Sequence, residues 1–140
     1  MEQACAIVLA AGDGKRMRSA RPKVLCEVLF RPMICWISDT LGECGIQDVC
    51  AVLGAGADLV RQAVPQFSWV EQKERLGTGH AVMQARAFLE SHRGGDCAVL
   101  CGDAPFMDAD TLKNAYLLHK KEGAAVTLVS AWLDNPTGYG

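Results

Sequence analysis

Five cations crowd into nine positions, Lys15, Arg16, Arg18, Arg21 and Lys23, directly after Gly12 and Gly14 break an apolar run. Such a segment suits an anion. Backbone N–H groups of a glycine turn can form an anion-binding nest, and glycine lets the main chain approach without a Cβ clash. Arg16 and Lys23 could then neutralise a phosphate chain, the first through forked contacts and the second as a point charge. Two familiar phosphate loops do not fit. A P-loop needs glycine where Leu9 stands and Ser or Thr where Arg16 stands, and the dinucleotide fingerprint meets Met17 in place of its third glycine. On composition alone, a solvated loop whose glycines only make the turn explains the segment equally well.

Other stretches supply what that loop lacks. "CGDAP" puts Asp103 just past an apparent strand, as Gly12 and Gly14 are past theirs. Open α/β sheets bind ligands beyond that edge, and a carboxylate beside a polyphosphate is a natural Mg²⁺ ligand, with phosphates and waters completing the octahedron. Standing alone, Asp103 is more often a turn or helix-cap residue. In "EQKERLGTGHAV", Gln72 precedes a Gly77-Thr78-Gly79 turn into a helix. Its amide can pair with a pyrimidine edge, although an isolated glutamine is more often exposed and structural. His80 has no metal-spaced partner and reads as structural, while His92 and His119 read as surface helix residues. No serine or cysteine has an evident base and orienting acid, so no hydrolase constellation is present.

These residues need a scaffold. Ala4–Ala11 is a continuous apolar run, as in a strand covered on both faces. A helix is predicted from Pro32 to Cys44, with Ile34, Ile37, Ser38 and Leu41 on one stripe and Gly45 as its stop. Strands follow at Asp48–Leu53, "SWVEQ", Cys97–Cys101 and "AAVTLVSAWL". Between them lie a short helix through Val60, a helix from Thr78 to His92 and another from Asp108 to Glu122. This alternation predicts βαβ units and a mainly parallel sheet. The chain stops in "NPTGYG", directly after the last predicted strand, and is expected to be part of a longer domain.

Bulk properties narrow the function. The chain has 140 residues, 50% hydrophobic and 21% charged, with a formal net charge of -2. It reads as a globular domain, and the acidic balance argues against a general nucleic-acid binder. Its seven cysteines include no Cys-x-x-Cys pair and mostly sit in apolar runs, the pattern of buried, reduced thiols in a cytoplasmic protein. Cys97 and Cys101 share one strand face, where packing is the expected role. The N-terminal apolar stretch is too short to span a membrane, so no membrane partner is expected.

In order and spacing, "LAAGDGKRM" with "PKVL", "EQKERLGTGHAV", "CGDAP" and "NPTGYG" resemble the nucleotidyltransferases that make nucleotide sugars. The likeness runs across essentially the whole chain. "LAAGxG…R…PK" is shared by many of them. "Q…LGTGHA" and "PTGYG" are similar to the uridyltransferase domain of bifunctional UDP-N-acetylglucosamine pyrophosphorylase/glucosamine-1-phosphate N-acetyltransferases.

This resemblance implies a three-layer α/β/α, Rossmann-like nucleotide-diphospho-sugar transferase fold, incomplete at its C-terminus. Residues 1–140 would be the N-terminal part of one nucleotidyltransferase domain, without the acetyltransferase domain. Leu9, Ala10, Ala11 and Gly12 would contact the nucleotide, with Gly14 shaping the loop. Arg16 would sit on the polyphosphate and Lys23 on the α-phosphate as the catalytic pair. Gln72 would read uracil, with Gly77 and Thr78 lining the base and ribose pocket. Cys101, Gly102 and Asp103 would border the substrate, Asp103 binding Mg²⁺, and Gly140 would touch the sugar. Lys15, Cys26 and Cys101 stand where the family usually has Thr, often His and often an aromatic residue.

The implied reaction condenses UTP with N-acetylglucosamine 1-phosphate for cell-envelope precursors. The family is homotrimeric at full length. Another sugar-phosphate or alcohol-phosphate nucleotidyltransferase, or a non-catalytic nucleotide-binding fragment, is the alternative.

Overall fold

The apolar N-terminal run becomes β1 (Ala4–Ala10), one of the two inner strands of a four-stranded parallel sheet. The computed structural model describes residue 1, residues 4–12, residues 21–135 and residue 137. Beside β1 runs β4 (Val49–Leu53), whose five residues are all buried, and β5 (Ser68–Glu71) lies at one edge. On the other side of β1 lies β6 (Asp96–Cys101). The order is therefore β5-β4-β1-β6, with Val8 opposite both Ala51 and Leu100.

Alternation along each strand assigns two faces. Ala6, Val8, Ala10, Ala51, Leu53 and Leu100 join one core cluster with Ile34, Ile37 and Leu41 of α1 (Met33–Glu43). Val60 of α2 (Ala57–Ala63) and Leu112 of α5 (Ala109–Glu122) complete that layer. Ile7, Cys50 and Val52 face the other way, against Ala81 of α3 (Thr78–Gln84) and Phe88 and Leu89 of α4 (Arg86–Ser91). The result is the expected α/β/α sandwich around a mainly parallel sheet.

Three expectations need correction. The helix predicted from Thr78 to His92 is two helices, broken at Ala85, whose N–H bonds to Val82 O. That three-residue spacing tightens the turn, and Ala85 is fully buried there. The strand predicted over "AAVTLVSAWL" is absent. Its composition suits a strand, but it joins no ladder, and Val126, Leu128 and Trp132 are exposed. Cys97 and Cys101 are exposed as residues, because they project from the Ile7 face of the sheet at β6, where the cluster under α3 and α4 does not reach. Cys5, Cys44 and Cys50 are buried, Cys26 and Cys35 half-buried, and all seven are free thiols.

Finally, β2 (Glu27–Val28) and β3 (Arg31–Pro32) form an antiparallel hairpin that the sequence did not announce. Its turn residues, Leu29 and Phe30, have φ of 51° and 62°. Asn-Gly is the usual signal for such a turn, and it is missing here.

Candidate functional site

All four strands of the sheet run parallel, so their carboxyl ends share one edge. Ala11 and Gly12 leave β1 there, Gly54 leaves β4, Gln72 leaves β5, and Gly102 and Asp103 leave β6. The chain builds outward from β1 through β4 to β5, then returns to place β6 on the other flank of β1. A sheet whose winding reverses in this way opens a crevice at the reversal, between β1 and β6. Gly12 and Asp103 flank that crevice.

Lys23 closes it. The ammonium lies 2.6 Å from Asp103 Oδ2, joining residues 80 apart in sequence. Both side chains keep access to solvent, at 39% and 33% exposure. Lys23 begins a 3₁₀ turn whose next two residues, Val24 and Leu25, are buried in the core. Gly102 makes the close passage possible. Its N–H bonds to Leu9 O at 2.9 Å, and a Cβ there would lie 3.1 Å from both Leu9 O and Val24 Cγ1.

Both flanks of the basic segment rest on the turn after β4. A Cβ on Gly54 would come within 2.9 Å of Ala11 O. A Cβ on Gly56, where φ is +76°, would meet Pro22 Cγ at 2.6 Å. The Gly-Ala-Gly turn, read from sequence only as a connection, therefore seats Ala11 on one side and Pro22 on the other. Its signal was the pair of glycines in a turn following a buried strand.

At the far flank, Gln72 is buried, with 6% exposure, against the expectation for an isolated glutamine. Its backbone N–H bonds to Leu53 O at 2.8 Å, continuing the parallel ladder past β5. Its side-chain Nε2 bonds to Gly77 O at 3.2 Å and approaches His80 Nδ1 at 3.0 Å. Gly77, with φ of 100°, leads into Thr78, the first residue of α3. Gln72, Gly77 and Thr78 thus form one group, two strand spacings, roughly 10 Å, from the end of β1. Sequence reasoning set His80 aside as structural, yet it belongs to this group.

Among the remaining sequence-predicted residues, Leu9 is half-buried within β1, Ala10 and Ala11 are buried, and Gly12 is exposed. Gly14, Arg16 and Gly140 lie outside the described residues, as do Lys15 and Arg18. Cys101 is exposed as a residue, but partial burial of its thiol raises its pKa above the ordinary value. The Asp103 carboxylate adds to that rise and Lys23 opposes it. A raised pKa favours the protonated thiol and gives no nucleophile. A cavity of about 520 Å³ lies at the opposite edge of the sheet, lined in part by Met1, Gly45, Asp48 and His92. None of the described candidate residues lines it.

A crevice with a lysine, a carboxylate and the exposed Gly12 at one flank, and a buried amide at the other, is arranged for a ligand with a charged end and a polar planar end. A family model described as a MobA-like NTP transferase domain matches residues 6–137. The chain belongs to this family. Among curated relatives, the bifunctional protein GlmU of Clostridium acetobutylicum is 46% identical over 97% of this chain. That of Thermotoga maritima is 49% identical over 96% of it. The chain spans 30% of the length of each. The fold of this MobA-like domain also matches a UDP-glucose pyrophosphorylase from Acinetobacter baumanii, with a TM-score of 0.68 at 22% identity. That match covers 86% of this chain and 54% of the other. The likeness noted in the sequence to sugar-nucleotide nucleotidyltransferases therefore holds.

Proposed function

We propose that this MobA-like domain forms the nucleotide site of a uridylyltransferase that condenses UTP with N-acetylglucosamine 1-phosphate. The products are UDP-N-acetylglucosamine, a cell-envelope precursor, and pyrophosphate. One observation carries the reading: Lys23 and Asp103 meet across the reversal of the sheet, beside the turn leaving β1. The kinship with bifunctional GlmU proteins supports the choice of substrates.

In this reading an oxygen of the sugar phosphate attacks the α-phosphorus of UTP in line. The bond from that phosphorus to the bridging oxygen breaks, and pyrophosphate leaves with the electron pair. The nucleophile is already an anion, so no general base is needed. The barrier lies in bringing anions together, and positioning with charge neutralisation lowers it. Lys23 neutralises the α-phosphate and Arg16 the phosphates beyond it. Ala11 and Gly12 bring backbone close to the chain of phosphates, with Gly14 shaping the loop. Gln72 reads the base, with Gly77 and Thr78 beside it.

Among the described residues, no group of three His, Cys, Asp or Glu side chains is placed to hold a metal. A single hard carboxylate such as Asp103 fits Mg²⁺, which takes one or two carboxylates together with phosphate oxygens and water. Bound there, Mg²⁺ supplies charge neutralisation to the triphosphate. Asp103 also holds the Lys23 ammonium at the mouth of the crevice.

No helix among the described residues is long and apolar enough to cross a membrane. Seven free thiols accord with a reducing, cytoplasmic setting. Pyrophosphate release, measured with UTP, CTP, dTTP and GTP in turn against N-acetylglucosamine 1-phosphate, tests the assignment. Turnover that prefers UTP is expected. Turnover with another nucleotide in preference to UTP, or none with any of the four, contradicts it.

A further inference from the structure

We infer that His80 sets the orientation of the Gln72 amide, so that Gln72 offers a carbonyl oxygen to the base and selects uracil over cytosine. This rests on the proposal that Gln72 reads the base. Gln72 Nε2 stands 3.2 Å from Gly77 O, and a carbonyl only accepts, so the NH₂ end of the amide faces Gly77. The second hydrogen of Nε2 points to His80 Nδ1 at 3.0 Å. That bond forms only when Nδ1 holds a lone pair and the ring proton sits on Nε2.

The other ring nitrogen faces an amide as well. Gln84 Nε2 lies 3.1 Å from His80 Nε2 and 3.1 Å from His80 O. A neutral imidazole has one acceptor nitrogen, so it cannot accept from both amides. Gln72 is buried and Gln84, one helical turn beyond His80, is half-buried. An unpaired N–H costs most where water cannot replace its partner. Gln72 therefore takes the acceptor, and Gln84, whose NH₂ end faces the His80 carbonyl, keeps that bond and gives up the one to the ring.

With both Nε2 hydrogens committed, the atom of Gln72 left for a ligand is Oε1. It accepts from the N3–H of uracil, whereas cytosine presents a lone pair at N3, and two acceptors repel. A site that commits a buried group in this way rejects the wrong base by leaving that group unpaired. His80 acts through Gln72 and is a positioning residue.

The test is equilibrium titration with UTP and with CTP at fixed Mg²⁺, for the wild type and for H80L, H80N and Q84L. The ¹⁵N shifts of the His80 ring are read alongside. The wild type should prefer UTP by about 30-fold or more, with the proton on Nε2. H80L frees the amide to rotate, so CTP affinity should rise about tenfold while UTP affinity falls less than about fivefold. H80N places an oxygen near the former Nδ1 and should keep the preference, as should Q84L. A merely structural histidine would lower both affinities together when replaced. Normal UTP binding with an unchanged UTP/CTP ratio in H80L overturns the role of His80 alone. Failure of the wild type to bind any nucleotide overturns the site assignment and this inference with it. If H80L does not fold, the ring decides: a wild-type proton on Nδ1 overturns the inference, and one on Nε2 supports it.

Discussion

Lys23 and Asp103 share an ion pair of 2.6 Å across 80 residues of chain, at the edge where four parallel strands end. Neither residue is buried enough for the pair to be a major source of stability. Partly exposed pairs of this kind contribute about 0.2–1 kcal/mol. Its value lies in placing a cation and a carboxylate at the crevice, each available to a ligand.

Removing either partner should therefore harm chemistry more than folding. For Lys23→Ala or Asp103→Ala in the complete enzyme, we expect turnover to fall on the order of 10²–10³-fold. Unfolding midpoints should shift little. Steady-state pyrophosphate release, beside thermal unfolding of the same variants, measures both.

The glycines that seat the basic segment make a second prediction. Gly54→Ala forces a Cβ to within 2.9 Å of Ala11 O, so the turn leaving β1 must shift. We expect nucleotide affinity to drop about tenfold or more, since misplacement of about 1 Å can cost a hundredfold. Gly56→Ala adds backbone strain to its clash with Pro22 and should also lower stability, by about 1 kcal/mol or more. Calorimetric titration with UTP and urea unfolding separate the two effects.

The β2–β3 hairpin offers a stabilising change. Leu29 and Phe30 occupy the left-handed region while 72% and 98% exposed, so their side chains gain little from packing. The left-handed conformation costs roughly 1–2 kcal/mol for an ordinary residue. Leu29→Asn with Phe30→Gly should raise stability by about 1 kcal/mol or more in urea unfolding and leave pyrophosphate release unchanged.

Acid should loosen the end of the sheet opposite the crevice. Asp96 accepts from Lys120 at 2.9 Å, and this bond is the main cause of a pKa held below the usual carboxylate range. A carboxyl group with a lowered folded pKa adds stability that is complete above its unfolded value, about 3.9, and lost as pH falls through the lower folded one. Urea midpoints of wild type and Asp96→Asn should differ most near neutrality and converge as pH drops below about 4.

Much of this architecture was legible because its signals are local. The runs that become β1 and β4 are apolar at nearly every position, as strands covered on both faces must be. Asp108 caps α5 by accepting from Thr111 N, and Gly123 ends it with a left-handed φ of 56°. Placement of Gly12 and Asp103 on one edge followed from parallel topology alone. What stayed hidden depends on partners distant in sequence. The segment after α5 has the composition of a strand but no neighbour to pair with, and Ala85 breaks a helix without Gly or Pro. His80 lies inside the "LGTGHA" stretch, but its residue type alone gave it no role there. Its chemistry arises only where β5 and α3 bring Gln72 and Gln84 to opposite sides of one ring.

The central claim is that a nucleoside triphosphate occupies the crevice between β1 and β6, with its base toward Gln72. Amide NMR of the ¹⁵N-labelled chain, titrated with UTP and Mg²⁺, tests it most directly. Gly12, Lys23, Gln72, Gly102 and Asp103 should shift together and saturate at a common ligand concentration. The amides of Gly45, Asp48 and His92, around the cavity at the other edge, should stay in place. Saturable shifts confined to that opposite edge, or none at all, would contradict the account.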